Sequence, residues 1–157
     1  MTIKLVAIDV DKTLLNSENQ LTKKTIDVLK EAIAKGTKIV ITSGRPLSGT
    51  KIYYGKLGIA DRSDQYAINY NGAMIRTTDG NILDHTALSG QDYLDLYKLA
   101  GQLGVKIQAE TADYIYTPYL SVPKYTKFEA KLVSADIKYV RMQTIKKNDQ
   151  ITKVMYI

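Results

Sequence analysis

Residues 8–17 read "IDVDKTLLNS", and they end a short apolar run on two acids, Asp9 and Asp11. The run itself, "IKLVAI" at residues 3–8, predicts a strand that is buried on both faces, as in parallel sheets. A strand that ends on paired carboxylates, rather than on an ordinary polar turn, suggests that the chain places charge there for a chemical purpose.

The segments that follow complete a strand–helix–strand unit. Thr22 is a suitable N-cap for a helix that runs to about Lys35, and Gly36 suits the position just beyond its end. The apolar "KIVIT" at residues 38–42 then predicts a second strand. This order predicts an α/β fold built on a parallel sheet.

The two acids are candidates for metal binding and catalysis. If the strand continued through them, the side chains of Asp9 and Asp11 would share one face about 6–7 Å apart. Two uncompensated carboxylates at that distance repel, and a cation such as Mg²⁺ would remove the conflict. One carboxylate could then attack phosphorus while the other transfers protons. The structural alternative is a pair of solvated loop acids.

The second strand also ends on residues that suit a ligand. Ser43 and Gly44 offer a hydroxyl and exposed backbone N–H groups ahead of a helix in which Pro46 is expected at the first position. The structural alternative is an ordinary strand-to-helix turn. Arg45 could either reach a phosphate or brace the following helix.

The rest of the chain predicts a third strand, two hairpins and, beyond residue 85, a region with a different sequence pattern. "YAINY" at 66–70 predicts a strand, and the turn dipeptides Asn71-Gly72 and Asp79-Gly80 predict short antiparallel strands around them. Beyond residue 85, Ser89 is the predicted cap of a helix closed by Gly104. The apolar stripe predicted for that helix consists of Tyr93, Leu96, Tyr97, Ala100 and Leu103.

The last third of the chain predicts an α+β pattern. Strands are expected at about 105–111 and 114–119, followed by a polar, partly helical stretch at about 122–139. The closing "ITKVMYI" predicts either a terminal strand docked in a sheet or a polypeptide cut short partway through a larger fold.

Composition limits the possible functions. The 157 residues carry a formal net charge of +6 with scattered lysines, which favours a basic surface suited to small anions over a nucleic-acid site. No apolar run is long enough for a signal peptide or a membrane span. The chain contains no cysteine, which fits a reducing cytoplasm. We therefore expect a cytoplasmic protein that binds neither nucleic acid nor membrane.

These motifs together resemble the haloacid dehalogenase (HAD) superfamily. "DVDKTLL" at 9–15 matches the first motif of that superfamily, Asp-x-Asp-x-Thr, and "ITSGRP" at 41–46 matches the second. "YNGAMI" at 70–75 is similar to a segment common in the Cof-type branch of sugar-phosphate phosphatases. The resemblance covers essentially the whole chain.

The resemblance implies a role for each matching residue. Asp9 would be the nucleophile and a metal ligand, and Asp11 the general acid/base with its backbone carbonyl on the metal. The backbone at Val10, together with Ser43 and Gly44, would hold the phosphate. The implied function is a Mg²⁺-dependent phosphatase that hydrolyses small phosphate monoesters, sugar phosphates among them, through an aspartyl-phosphate intermediate.

Two further residues bear on the first motif. Thr13 would support the loop that carries the acids. The residue after the second aspartate is often glycine in the Cof-type branch, whereas this chain has Lys12. A lysine there would be strained if the site requires a positive φ.

The resemblance also implies the domain organisation. A Rossmann-like parallel-sheet core would span residues 1–84, and an α+β cap domain, inserted into the core in this family, would span 85–157. The family's third motif, a lysine, and its fourth, further acids, normally follow the cap, and neither is present. Both core and cap are therefore expected to be incomplete and the 157-residue chain to be poorly active or inactive.

Other functions compete with this interpretation. One alternative is a truncated, non-catalytic chain that binds phosphate or a partner. A phospho-accepting signalling module is a second, but such modules place the acceptor aspartate on a later strand. A cut sheet edge would also favour self-association, so a homo-oligomer is expected.

Overall fold

The computed structural model describes residues 3–111 and 114–157. The chain divides into two compact units, Met1–His85 and Thr86–Ile157. The boundary predicted from the sequence lies between residues 84 and 85.

The first unit contains five strands and two long helices. In chain order they are β1 (Leu5–Asp9), α1 (Lys23–Ala34), β2 (Lys38–Thr42), α2 (Leu47–Leu57), β3 (Tyr66–Asn69), β4 (Met74–Thr77) and β5 (Ile82–His85). The strands form one sheet in the order β1-β2-β3-β4-β5. The first three strands are parallel, and β4 and β5 are added as antiparallel hairpins. The predicted α/β fold with a parallel sheet and two hairpin turns is confirmed.

The core of the first unit lies on one face of its sheet. Val6 and Ile8 of β1 pack with Ile39 and Ile41 of β2, and apolar side chains of α1 and α2 join the same cluster. β2 is buried along its centre, as predicted. The prediction that β1 is buried on both faces was wrong, because alternate residues such as Leu5, at 52% exposure, face solvent. Both helices pack on a single face, and β1 is the edge strand of this sheet.

The predicted helix ends are largely confirmed. The Oγ1 atom of Thr22 accepts a hydrogen bond from the Thr25 N–H at 3.2 Å, and Gly36 adopts a φ of 90° after α1. Pro46 was predicted at the first position of the next helix, but it precedes α2 as its N-cap residue. Its extended backbone, with a ψ of 170°, leaves the first helical position to Leu47.

The second unit has an α+β architecture. Its elements are β6 (Leu88–Ser89), α3 (Gly90–Leu103), β7 (Ile107–Glu110), β8 (Tyr114–Thr117), α4 (Lys124–Val133), β9 (Asp136–Tyr139), β10 (Gln150–Ile151) and β11 (Lys153–Tyr156). Four strands form a sheet in the order β11-β7-β8-β9, and β10 pairs with β6. The closing apolar run forms strand β11, which pairs with β7.

The helix α3 follows its predicted pattern except at one end. Ser89 and Asp92 form a capping box, and Gly104 closes the helix with a φ of 68°. Tyr93 and Ala100 are buried against the sheet, whereas Leu103 is 59% exposed, so its assignment to the buried stripe was wrong. Leu103 is the last residue of the helix, where the chain already turns toward β7.

No helix within residues 3–111 and 114–157 combines the length and the apolar character needed to cross a membrane.

Candidate active site

A cleft of about 260 Å³ opens where the parallel strands of the first unit end. Its walls are formed by Asp9, Thr42, Ser43, Gly44, Ile68, Asn71 and Gly72. Asp9 pairs directly with Thr42 across β1 and β2, so the two predicted motifs meet because their strands are neighbours in register. Ligands bind at this end of the strands in open α/β sheets generally.

Asp9 presents an accessible carboxylate to this cleft. It is the last residue of β1 and keeps an extended backbone, with φ −68° and ψ 148°. Its side chain points to the sheet face opposite the helices, because β1 alternates and Ile8 belongs to the packed core. No described residue donates a hydrogen bond to this carboxylate, so its oxygens are available to a ligand.

The turn after Asp9 contains a strained backbone position. Val10 and Leu14 are buried in the core and anchor the turn, which the Leu15 N–H closes onto the Val10 carbonyl at 3.0 Å. Lys12 between them adopts a left-handed conformation, with φ 62° and ψ 13°. A non-glycine residue there costs about 1–2 kcal/mol relative to the right-handed region. The positive φ meets the condition under which a lysine at this position is strained.

Ser43 is almost fully buried and is committed to the loop that it begins. Its N–H donates to the Ile68 carbonyl at 2.9 Å, and its carbonyl accepts from the Asn71 N–H at 3.2 Å. Its Oγ accepts from the Arg45 N–H at 3.1 Å. The N–H of Ser43 is thus already used within the fold, and the hydroxyl proton is what Ser43 can still offer a ligand.

Gly44 provides the free N–H group of this loop. Its N–H has no hydrogen-bond partner in the described part of the chain. A Cβ atom at this position would lie 2.7 Å from the Asn71 Oδ1, closer than real Cβ contacts. The close approach of Asn71 therefore favours glycine here, a reason separate from any contact with phosphate.

The tip of the β3–β4 hairpin completes the cleft wall. Tyr70, Asn71 and Gly72 have successive positive φ values of 53°, 57° and 99°. This left-handed run turns the Asn71 side chain toward Gly44. Such strained backbone persists where surrounding structure holds it, often at functional sites.

Asp11 does not line the cleft but forms a forked ion pair with Arg45. The Arg45 Nη2 donates to Asp11 Oδ1 at 2.6 Å, and its Nε donates to Oδ2 at 3.2 Å. The structure therefore brings Asp9, Ser43 and Gly44 together in the cleft and sets Asp11 beside them.

Sequence reasoning did not anticipate this contact, although one signal was available. Asp9 and Thr42 are paired in register, and Asp11 and Arg45 follow them by two and three residues. Opposite charges at nearly equal distances beyond two neighbouring strand ends favour an ion pair between the loops.

A buried asparagine hydrogen-bonds to the backbone of Arg45. Asn69, which is fully buried, donates through Nδ2 to the Arg45 carbonyl at 3.1 Å and to Thr50 Oγ1 at 3.2 Å. Thr50 in turn shares a 2.7 Å hydrogen bond with the Tyr54 hydroxyl. Burial raises the pKa of Tyr54, so this hydroxyl remains neutral in the network. Nothing in the sequence pattern distinguished Asn69 from an ordinary strand residue.

The described residues fit a Mg²⁺ ion only in part. No group of three or more carboxylate, histidine or cysteine side chains within residues 3–111 and 114–157 is arranged to hold a metal. Mg²⁺ is nevertheless commonly held by one or two carboxylates while water and phosphate supply the other ligands. The free carboxylate of Asp9 and the main-chain carbonyl of Asp11 are the protein ligands that this arrangement could offer.

Comparison with known proteins gives consistent matches. The sequence profile of haloacid dehalogenase-like hydrolases matches residues 6–157. A Bacillus subtilis (strain 168) protein named "Putative phosphatase YxeH" is 33% identical over 155 residues, which cover 98% of this chain and 57% of that protein.

Solved structures show the same fold. A haloacid dehalogenase-like hydrolase from Bacteroides thetaiotaomicron has a TM-score of 0.84 at 23% identity, with 99% of this chain and 58% of that one covered. The HAD subclass IIB sugar phosphatase BT4131 has a TM-score of 0.73 at 20% identity, with 96% and 57% covered.

The chain spans little more than half the length of these proteins. The profile match nevertheless extends over nearly all of its residues and includes both strand-end motifs that form the cleft. The chain therefore belongs to the haloacid dehalogenase-like hydrolases and, within them, to the Cof-type branch.

Proposed function

We propose that this protein acts as a phosphatase on small phosphate monoesters, with Asp9 as its nucleophile. The observation that carries the proposal is the free Asp9 carboxylate in one cleft with the Ser43 hydroxyl and the Gly44 N–H. This combination offers a nucleophile and hydrogen-bond donors for phosphate oxygens, which phosphoryl transfer requires.

The chemistry follows from these positions in two steps. In the first step, an Asp9 oxygen attacks phosphorus, the bond to the leaving oxygen breaks, and Asp11 gives that oxygen its proton. In the second step, Asp11 takes a proton from water, the water oxygen attacks phosphorus, and inorganic phosphate leaves Asp9. Bound Mg²⁺ would supply charge neutralisation between Asp9 and the phosphate.

We propose sugar phosphates as the substrate class. Support comes from the name of one fold neighbour, a sugar phosphatase, and from the polar side chains that line the cleft. A panel of sugar phosphates, nucleotides and p-nitrophenyl phosphate tests the class. Faster turnover of nucleotides than of sugar phosphates would contradict it.

The activity itself is tested by comparing wild type with Asp9→Asn, each with and without Mg²⁺. We expect wild type to release phosphate only with Mg²⁺ and Asp9→Asn to show no turnover, because the amide cannot attack phosphorus. Mass spectrometry of acid-quenched wild type should show a phosphorylated peptide containing residue 9. Equal activity of the two proteins would remove Asp9 from the mechanism.

A second candidate function is phosphate binding without turnover. The observation favouring it is that the described residues offer few metal ligands, since weak Mg²⁺ binding would leave the charge on phosphorus poorly neutralised. Calorimetry with inorganic phosphate distinguishes the two. Binding in the absence of any hydrolysis would favour this second function.

We also propose that the protein self-associates and works in the cytoplasm. Support for association comes from the edge strand β1, whose exposed face includes Leu5 and Ala7. Light scattering tests association, and a monomer at high concentration would contradict it. The lack of cysteine supports a reducing compartment, which cell fractionation can test.

A further inference from the structure

We propose that Arg45 is a positioning residue that fixes the carboxylate of Asp11. The role of Asp11 as the acid and base rests on the proposed function. The contact itself rests on geometry, since two N–H donors of one guanidinium meet the two oxygens of one carboxylate.

The fork geometry constrains Asp11 more than a single contact would. Two parallel hydrogen bonds fix both the position and the plane of a carboxylate, whereas the ammonium of a lysine acts as a point charge. The Arg45 side chain is only 19% exposed, while that of Asp11 is 48% exposed. The more buried partner therefore determines where the more exposed one lies.

Arg45 is itself held on both sides of its backbone. Its N–H donates to Ser43 Oγ, and its carbonyl accepts from Asn69 Nδ2 at 3.1 Å and from the Tyr70 N–H at 3.3 Å. These partners lie at the ends of β2 and β3, so the guanidinium extends from a fixed point of the sheet.

Asp11 lacks comparable support of its own. It lies in the turn that contains the left-handed Lys12, and its side-chain oxygens have no other hydrogen-bond partner among the described residues. Without Arg45, the carboxylate would be free to change rotamer. Proton transfer to a leaving group depends on such positioning, because the acid must lie within hydrogen-bond reach of the oxygen.

The first unit contains a matched control for this ion pair. Arg62 forms the same fork with Asp64, through Nε at 2.8 Å and Nη2 at 3.0 Å. That pair joins residues two apart in one loop, and Asp64 also contacts Lys38 at the opposite end of β2. Arg62→Lys therefore removes an equivalent fork away from the cleft.

Nuclear magnetic resonance tests the positioning directly in the full chain. Three-bond couplings to the Asp11 Cγ should report one χ1 rotamer in wild type and in Arg62→Lys, and an average of rotamers in Arg45→Lys. The backbone spectrum of each variant shows whether the fold is retained. Wild-type couplings in Arg45→Lys would overturn the inference, whether or not the protein is an active phosphatase.

Single-turnover kinetics test whether the position of Asp11 affects proton transfer to the leaving group. A sugar phosphate releases an alkoxide that needs a proton, whereas p-nitrophenyl phosphate releases a stable phenolate. We expect Arg45→Lys to slow the release of sugar in a single turnover by about 10²-fold and to change the release of p-nitrophenolate little. Equal losses on both substrates would show a phosphate-binding or structural role and overturn the inference. If wild type hydrolyses neither substrate, the proposed function fails and the couplings alone decide the position of Asp11.

Discussion

The two units of this protein differ in the kind of unfavourable feature they contain: strained backbone in the first and buried polar atoms without hydrogen bonds in the second. Of the six described non-glycine residues with positive φ, five lie in the first unit, and Lys12, Tyr70 and Asn71 belong to turns at the end of the sheet that forms the cleft. Of the eight buried side-chain polar atoms without a hydrogen bond among the described residues, six lie in the second unit, on Tyr93, Gln108, Glu110 and Thr126, and of these Glu110 Oε1 forms an ion pair with Lys153 Nζ at 3.3 Å.

This difference separates two kinds of cost. A strained backbone places groups where an unstrained turn could not, so its concentration around the cleft fits a site that needs defined geometry. Buried polar groups without partners cost about 1–3 kcal/mol each, and ordered water or a ligand can relieve that cost. The following variants test where each cost lies.

The largest expected effect is in the second unit, at the start of α3. A Cβ atom on Gly90 would lie 2.0 Å from the main-chain oxygen of Lys146, which cannot move aside as a flexible side chain could. Gly90→Ala should therefore destabilise this unit by about 3 kcal/mol. Urea unfolding with amide exchange in β7 measures it.

Gly101 in the same helix is the matched control for that variant. A Cβ atom there meets nothing within 4 Å, so Gly101→Ala should stabilise α3 by about 0.5–1 kcal/mol. Equal unfolding free energies for Gly90→Ala and wild type would show that the start of α3 packs differently.

A smaller effect is expected at Gly44, where the obstacle is a side chain. Gly44→Ala should cost about 1–2 kcal/mol because the new methyl group meets Asn71 Oδ1. The double variant Gly44→Ala/Asn71→Gly should recover most of this, since glycine removes the amide and tolerates the positive φ. Thermal unfolding of the four proteins measures the coupling, and simple additivity would argue against the contact.

The pH dependence of stability should have opposite signs in the two units. Burial raises the pKa of Glu110, against the opposing effect of Lys153 at 3.3 Å. The carboxyl of Glu110 therefore ionises at a lower pH in the unfolded protein than in the folded protein. The stability contributed by Glu110 is complete at low pH and is lost as the pH rises through the pKa of the folded state. Glu110→Gln should remove this loss, as measured by urea unfolding across roughly pH 4 to 8.

Asp64 in the first unit provides the opposite case. Hydrogen bonds from Arg62 and Lys38 lower its pKa, so its contribution is present at neutral pH and is lost as pH falls below the range of an unfolded carboxyl. Asp64→Asn should weaken the protein near neutrality, although solvent screens this exposed site. The same sign for both variants would contradict the assignment of Glu110 as a buried group.

A further small effect is expected at two residues in the left-handed conformation. Lys12 and Ser134 have φ values of 62° and 53°, and Ser134 is the C-cap residue of α4. Each change to glycine should relieve about 1 kcal/mol of backbone strain. Calorimetric melting measures this gain, and a loss of stability in either variant would show that its side chain contributes more than the strain costs.

Much of the fold followed from the sequence because its signals are local. Helix α1 was predicted from one capping threonine and one closing glycine, and the hairpins from two turn dipeptides. The exposure of Leu5 could not be predicted in this way, because a continuous apolar run does not show how many faces of a strand are covered.

The candidate site was predictable only in part, for a related reason. Asp9 ends β1, and Ser43 and Gly44 follow β2; the two strands pair in register, and both were predicted from apolar runs. The positions of Arg45 and Asn69 depend on side-chain contacts between separate loops, and such contacts have no periodicity in the sequence. The sequence predicted strain at Lys12 only if the turn required a positive φ there, because φ depends on how the turn closes.

Asn71, which approaches Gly44, and the carboxylate of Asp9 lie on different segments of the cleft wall. Asn71 stands at a hairpin tip, whereas the carboxylate of Asp9 ends a different strand, so two walls of the cleft are encoded by independent segments. If Asp9 is the nucleophile, as proposed, a substitution at residue 71 would change the shape of the cleft and leave the attacking carboxylate in place.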